Sequence, residues 1–217
     1  MIHSKGRKRV VITNVIPRVL EGRYPAKATI DEELLIGADV FCDGHDEIAV
    51  RLFIKHESKR NWEEYVMEPL GNDHWVYRFT PANTGAYSFQ IKAWVDHFKT
   101  WKTGLLKKIA TGQETTIDFR IGAELIEKAA NASKGTVKNM LAQAAAALVN
   151  SADKQASLGY LDEPGLAEAI GKTVDKEFIT AFPETLQILA ERRKASFSTW
   201  YELFPRSAGG QPGVHGN

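Results

Sequence analysis

The chain has 217 residues, 43% of them hydrophobic and 25% charged, with 28 lysines and arginines against 27 aspartates and glutamates. Such a composition belongs to a soluble polypeptide that can bury a core, of a size for one elaborate domain or two modest ones. The near-neutral balance excludes the general basic footprint of a nucleic-acid-binding protein, and the single cysteine, Cys42, excludes an internal disulfide and a cysteine-built zinc site.

The opening stretch MIHSKGRKRVVITNVI sets its charges directly against a short alternating pattern, without the continuous apolar run of a signal peptide. No run of about 18 apolar residues occurs anywhere, so the expectation is a cytoplasmic protein with no membrane partner. The cluster from Lys5 to Arg9 reads as a solvated terminal tail. From there to about residue 98 the pattern has period two. Leu34, Ile36, Ala38, Val40 and Cys42 share one face of one run, and Ile48, Val50, Leu52 and Ile54 share one face of the next. Further runs are RVVITNV, NWEEYVMEPL, DHWVYRFT and GAYSFQIKAWVD, separated by the turn signals DGHD, SKRN, LGND and ANTG. Short strands at near-regular spacing predict an antiparallel β-sandwich resembling an immunoglobulin fold.

After Phe98, Trp101, Leu105 and Ile109 fall at helical spacing, which predicts a short amphipathic helix followed by one more strand, ETTIDFRI. From Gly122 to about Phe182 the chain is alanine-rich. Val137, Met140, Leu141, Ala144, Ala145 and Leu148 form one helical stripe, and DEPGLAEAIG reads as a helix with Asp162 as N-cap and Pro164 in its first turn. Helices with apolar stripes must pack on one another, so a small bundle follows. TLQILAERRKASFS is open: Leu186 and Leu189 suit a helix, whereas Leu186, Ile188 and Ala190 alternate like a strand. Taken as a strand, it completes the sandwich and turns the helices into an insertion between the last two sandwich strands. Thr199 to Phe204 then reads as a buried strand followed only by the glycine-rich SAGGQPG, a flexible loop rather than a phosphate cradle.

The residue chemistry points away from a self-contained active site. Six histidines are scattered without metal-ligand spacing, and neither a phosphate loop nor a nucleophile elbow is present, so no metal and no cofactor are expected. Acid pairs such as Asp43 with Asp46 and Glu63 with Glu64 sit in turns or strands, whereas a glycosidase needs two carboxyls facing each other across a cleft. Of the aromatics Trp62, Trp75, Trp94, Tyr65 and Tyr77, alternation assigns Trp75 and Trp94 to the core, and Trp62, after a polar turn, is the candidate sugar-stacking platform.

Three stretches, DVFCDGHDEIAVRLFIK, PLGNDHWVYRFTPANTGAYSFQIKAWVDHFKTWK and STWYELFPRSAGGQPGVHG, resemble in this order the N-terminal region of the bacterial α-1,4-glucan:maltose-1-phosphate maltosyltransferases of the α-amylase superfamily. The resemblance implies a mixed β and α chain: an immunoglobulin-like sandwich over residues 9–121 plus about 185–196, a helical bundle inserted at 122–183, and at 198–217 the first strand of an absent (β/α)8 barrel. It implies transfer of maltosyl units from maltose 1-phosphate to α-1,4-glucan with retention, through a carboxylate nucleophile and an acid/base, both lying beyond Asn217. No catalytic residue is then held here, and Glu202, Arg206 and Ser207 are at most a wall of the substrate pocket. It implies a homodimer; the near-neutral charge separately argues against a nucleic-acid partner. The competing reading is a glucan-binding module of a branching or debranching enzyme of that superfamily, with Trp62 as its platform.

Overall fold

The computed structural model describes residues 8–150, 154–175, 178–197, 199, 201–202 and 204–214, with the side chains of 154–156, 206 and 207 outside that set. The alternating first half forms β1 (Val10–Ile16), β2 (Ala26–Thr29), β3 (Leu34–Cys42), β4 (Ile48–His56), β5 (Glu63–Val66), β6 (Glu68–Gly71), β7 (His74–Phe79) and β8 (Gly85–Val95). Two short strands return near the end, β9 (Thr180–Ala181) and β10 (Leu186–Glu191). One open sheet is ordered β1-β3-β7-β6; the other is β2-β10-β8-β4-β5, with β9 also pairing β8.

The inner faces of the two sheets enclose one core. Ile36, Ala38 and Val40 on β3 are sealed from solvent, as are Val50, Leu52 and Ile54 on β4 and, beside them in the same sheet, Ala93, Ile91 and Phe89 of β8. A one-residue slip would turn all of them outward, so burial fixes the register. The segment with open alternatives is a strand: Leu186, Ile188 and Ala190 are buried, and β10 pairs antiparallel with β8. It also pairs in parallel with β2, so the sheet is not purely antiparallel as expected. Parallel neighbours need a long crossover, and the helices between β8 and β10 help supply one. NWEEYVMEPL, read as one run, is split between the sheets. β5 joins β4, β6 joins β7, and the buried Met67 marks the crossing.

The helices are α1 (His97–Ala110), α2 (Thr116–Ala132), α3 (Gly135–Asn150), α4 (Lys154–Gly159) and α5 (Leu166–Gly171). Their buried residues form a second core, with Phe98, Phe119, Ile126, Leu141 and Leu166 at its centre. ETTIDFRI is not a strand: its residues from Thr116 onward open α2. Thr115 and Asp118 make a reciprocal capping box there, the Thr115 hydroxyl oxygen accepting from the Asp118 N–H and the Asp118 carboxylate accepting from the Thr115 N–H. Ile117 and Ile121, which created the alternation with Phe119, face outward. Asp162 is not an N-cap either. It ends a 3-10 turn, Tyr160–Asp162, and α5 starts after Gly165, whose φ of +86° no N-cap aspartate three residues earlier could replace.

Past β10 comes a 3-10 turn, Arg193–Ser196, tied back where the Ser196 hydroxyl donates to Glu32. The strand expected over Thr199–Phe204 is not formed: Thr199, Tyr201, Glu202 and Phe204 lie outside any strand, while Ser198, Trp200 and Leu203 fall outside the described residues. Tyr201 and Phe204 are 91% and 66% exposed. Among the described residues no strand hydrogen-bonds to this segment. One helical turn, α6 (Pro205–Ala208), follows.

Candidate functional site

Two of the three sequence stretches that carried the family resemblance meet at one end of the two-sheet unit, where β3 ends, β4 begins and β8 passes into α1. The DGHD turn is held from outside by Arg9, whose guanidinium donates to the Asp43 carboxylate at 2.7 Å and its carbonyl at 2.8 Å and pairs with Asp46 at 2.7 Å. Arg9 therefore belongs to this joint rather than to a solvated tail. The next residue, Glu47, reaches across to the helices. Its N–H donates to the Thr100 hydroxyl oxygen at 2.9 Å, its carbonyl accepts from the Asp96 N–H at 2.8 Å, and its carboxylate pairs with Lys99 at 3.0 Å. Asp96 caps α1 by accepting from the Lys99 N–H. A bound turn, a capped helix and a strand end are thus fixed in one network.

The LGND turn closes the same end from the other sheet. Gly71, Asn72 and Asp73 all have positive φ, the geometry of a tight hairpin turn. The Asp73 carbonyl accepts from the Val40 N–H at 2.8 Å, and the Trp75 indole N–H donates to the Val40 carbonyl at 3.2 Å. On the outer face Asp39 accepts from the Asn14 amide at 2.6 Å and meets His74 Nδ1 at 2.8 Å. The bond from Asn14, with that from His74, holds the Asp39 carboxyl below its ordinary range.

On the helical side Trp101 donates its indole N–H to the Asp118 carbonyl at 2.7 Å. Its ring packs against Gly122, where an added Cβ would stand 1.8 Å from the indole. Lys108 pairs with the Asp118 carboxylate, joining α1 to the start of α2. These bonds tie the start of α1 to the DGHD turn and the end of β8, and α1 in turn to the start of α2.

The sequence-proposed site residues are elsewhere and are not brought together. Trp62 stands before β5, 41% exposed, with the Lys55 ammonium 5.2 Å from its ring centre. Trp94 is buried beneath Arg51, and Trp75 and the tilted ring pair Tyr65 and Tyr77 are packed against the sheet core. Glu202 is exposed, and Arg206 and Ser207 lie in α6. Sequence reasoning missed Arg9, Glu47 and Thr100, which stand about 40 to 50 residues apart and carry no signal of contact beyond lying in or beside the quoted stretches. Among the described residues no group of three or more histidines, cysteines or acids is placed to hold a metal ion, and no helix is long and apolar enough to cross a membrane.

The model of the family described as α-1,4-glucan:maltose-1-phosphate maltosyltransferase, domain N/S, matches residues 8–192, the span that contains both sheets, the joint and the five helices of the second core. The chain belongs to this family. The α-1,4-glucan:maltose-1-phosphate maltosyltransferase of Chlorobaculum tepidum is 36% identical over 215 residues, covering 97% of this chain and 31% of the relative. That of Methylacidiphilum infernorum is 34% identical over 212 residues, with the same two shares. That of Cereibacter sphaeroides is 32% identical over 213 residues, covering 96% of this chain and 35% of the relative. The chain thus spans about a third of the length of the maltosyltransferases it matches, and the match rests on the domain N/S part of the family, where the joint lies.

Proposed function

We propose that this chain is the noncatalytic assembly region of a cytoplasmic maltosyltransferase that moves maltosyl units from maltose 1-phosphate to α-1,4-glucan with retention. In this reading an immunoglobulin-like sandwich carries an inserted helical bundle, residues from 198 onward belong to a barrel domain, and the bundle contributes to a homodimer. The observation that supports it best is the joint: the polar groups of Arg9, Asp43, Asp46, Glu47, Asp96, Lys99 and Thr100 bond to one another and tie the sheets to the helices, which is the work of a scaffold.

The geometry adds a second support. The helices leave and rejoin the sheets at the Val95 and Thr180 end, paired through Ala93 and Thr180. The chain leaves β10 at the opposite end, where Ala190 pairs with Gly85. The eleven residues of β8 separate the two exits by about 35 Å. Helices at that distance suit contact with another subunit better than lining a pocket at the far exit. Ile117 and Ile121, one turn apart on α2 and 66% and 46% exposed, are the pair of exposed apolar groups that this reading assigns to it.

Two measurements test the reading. The chain, given maltose 1-phosphate and glycogen, releases no phosphate above the protein-free blank; turnover proportional to chain concentration overturns the noncatalytic assignment. Sedimentation velocity gives a dimer that Ile117→Glu with Ile121→Glu converts to monomer without lowering the melting temperature of the sheets; an unchanged dimer removes this face from the interface.

A further inference from the structure

His56, the last residue of β4, is the buried histidine of the described residues, 8% exposed, and the joint makes no use of it. We propose that it is the proton sensor of the turn between β4 and β5, residues 57–62, and through that turn sets the surroundings of Trp62. The inference stands apart from the assembly reading and survives its failure.

The ring's partners fix its protons. Nε2 lies 3.1 Å from the Thr84 carbonyl, which can only accept, so Nε2 carries a hydrogen. The Ser58 N–H, which can only donate, points at Nδ1 from 3.3 Å, so Nδ1 carries none. The Ser58 hydroxyl, 2.7 Å from Nδ1, donates to it as well. A neutral imidazole with one defined tautomer ties the turn after β4 to the turn before β8.

The two turns are held close enough for this by Gly85, whose φ is +121°; a Cβ there would run into the Glu57 carboxylate and stand 3.0 Å from His56 Nε2. From β8 the neighbour is Tyr87, its ring centre 4.7 Å from the imidazole and its hydroxyl occupied by both backbone groups of Asn83. A second proton can enter only on Nδ1. The Ser58 hydroxyl can reverse and accept it, but the Ser58 N–H loses its acceptor, and the turn opens around that residue. Glu57 supplies the countercharge for the protonated ring, while Lys59 on the same turn is paired with Glu63. Trp62 ends the turn, so a contact made through its exposed indole varies with pH.

Nitrogen-15 NMR of the whole chain from about pH 8 to about pH 5, the range in which histidines change charge, reads each step. At the upper end the His56 ring shows the Nε2–H tautomer. As the ring takes up its second proton, the Ser58 amide loses about fivefold of its protection against exchange, corrected for the intrinsic effect of pH, which is the worth of one hydrogen bond. The Trp62 indole signal moves with the same midpoint. His56→Gln, whose amide donates and accepts without titrating, keeps that protection constant over the range. Glu57→Gln removes the countercharge and moves the shared midpoint to lower pH, and it serves should the first variant fail to fold.

An Nδ1–H tautomer at the upper end, a ring that stays neutral throughout, or Ser58 protection that ignores the ring's titration overturns the proposal. So does the same acid loss in His56→Gln, or a midpoint that Glu57→Gln leaves in place, since the turn then answers to another group.

Discussion

The two cores are built on different principles. In the two-sheet core the buried positions are mostly large, with Ile36, Leu52, Ile54, Phe89, Ile91 and Ile188 sealed and only 4 of 20 taken by alanine among the described residues. In the helical core 5 of 13 are alanine: Ala123, Ala129, Ala130, Ala144 and Ala145. Alanine is the best helix former and lets α2 and α3 approach closely, but it removes little apolar area from water, whereas a buried leucine or phenylalanine contributes about 1.5–3 kcal/mol. The helices also hold Ile117, Ile121, Val137 and Val149 on their outside. The sheets are therefore the stable body and the helices the dependent one. The dependence is topological as well, because the pairing of Ala93 with Thr180 closes the loop in which the helices fold.

The largest effect comes from a matched pair of cavities. Phe89→Ala removes a ring with no solvent exposure from the sheet core and costs about 3–5 kcal/mol. Leu141→Ala does the same in the helical core, for about 2–5 kcal/mol. Amide exchange under native conditions reads the asymmetry: the first variant lowers protection in sheets and helices alike, and the second lowers it in α2 and α3 alone. Loss of protection along β4 and β8 in Leu141→Ala breaks the comparison, since the sheets would then lean on the helices.

A smaller test works in the opposite direction, by overfilling. Gly122→Ala drives a methyl group into the Trp101 ring, which is pinned by its hydrogen bond to the Asp118 carbonyl. The ring must swing out of the α1 and α2 contact, at a cost of about 1–3 kcal/mol. Near-ultraviolet circular dichroism loses the signal of an immobilised tryptophan, and the melting of the helices shifts down while that of the sheets stays. An unchanged tryptophan signal refutes the packing described at this contact.

The same contrast explains what was legible in the sequence. Strands with one face buried leave a period-two record, so β3, β4 and β8 could be read directly, whereas Leu186, Ile188 and Ala190 left β10 open against a helix until its pairing with β8 decided it. Where alternation arises from exposure the record misleads: Ile117, Phe119 and Ile121 mimic a strand because two of the three happen to face water on a helix. The capping pair Thr115 and Asp118 was the overlooked local signal. Pro164 and Asp162 misplaced the start of α5, because the turn there depends on Gly165 and on Lys102 reaching Asp162 from α1. The joint itself was invisible. Arg9, Glu47 and Thr100 meet only after the sheets have formed, and no local pattern records a contact between residues so far apart.

The smallest effect, and the finest probe of the dependent body, is titration of Asp118. Its pair with Lys108 comes first, followed by the bonds from the Thr115 N–H and hydroxyl, and together they lower its carboxyl from 3.8 to about 2. A depressed value means that the folded state binds its proton less readily than the unfolded chain. The contribution to stability is therefore complete above about pH 4 and disappears as the pH falls toward 2. The helices accordingly lose thermal stability across that window. Asp118→Asn lowers the helical melting temperature at neutral pH and flattens its dependence between pH 4 and 2, because the asparagine amide keeps the Thr115 bonds in part but cannot answer Lys108 as an anion. If the acid loss persists unchanged in that variant, Asp39, held below its ordinary range by the bonds from Asn14 and His74, carries it, and the weak point moves from the helices to the sheets.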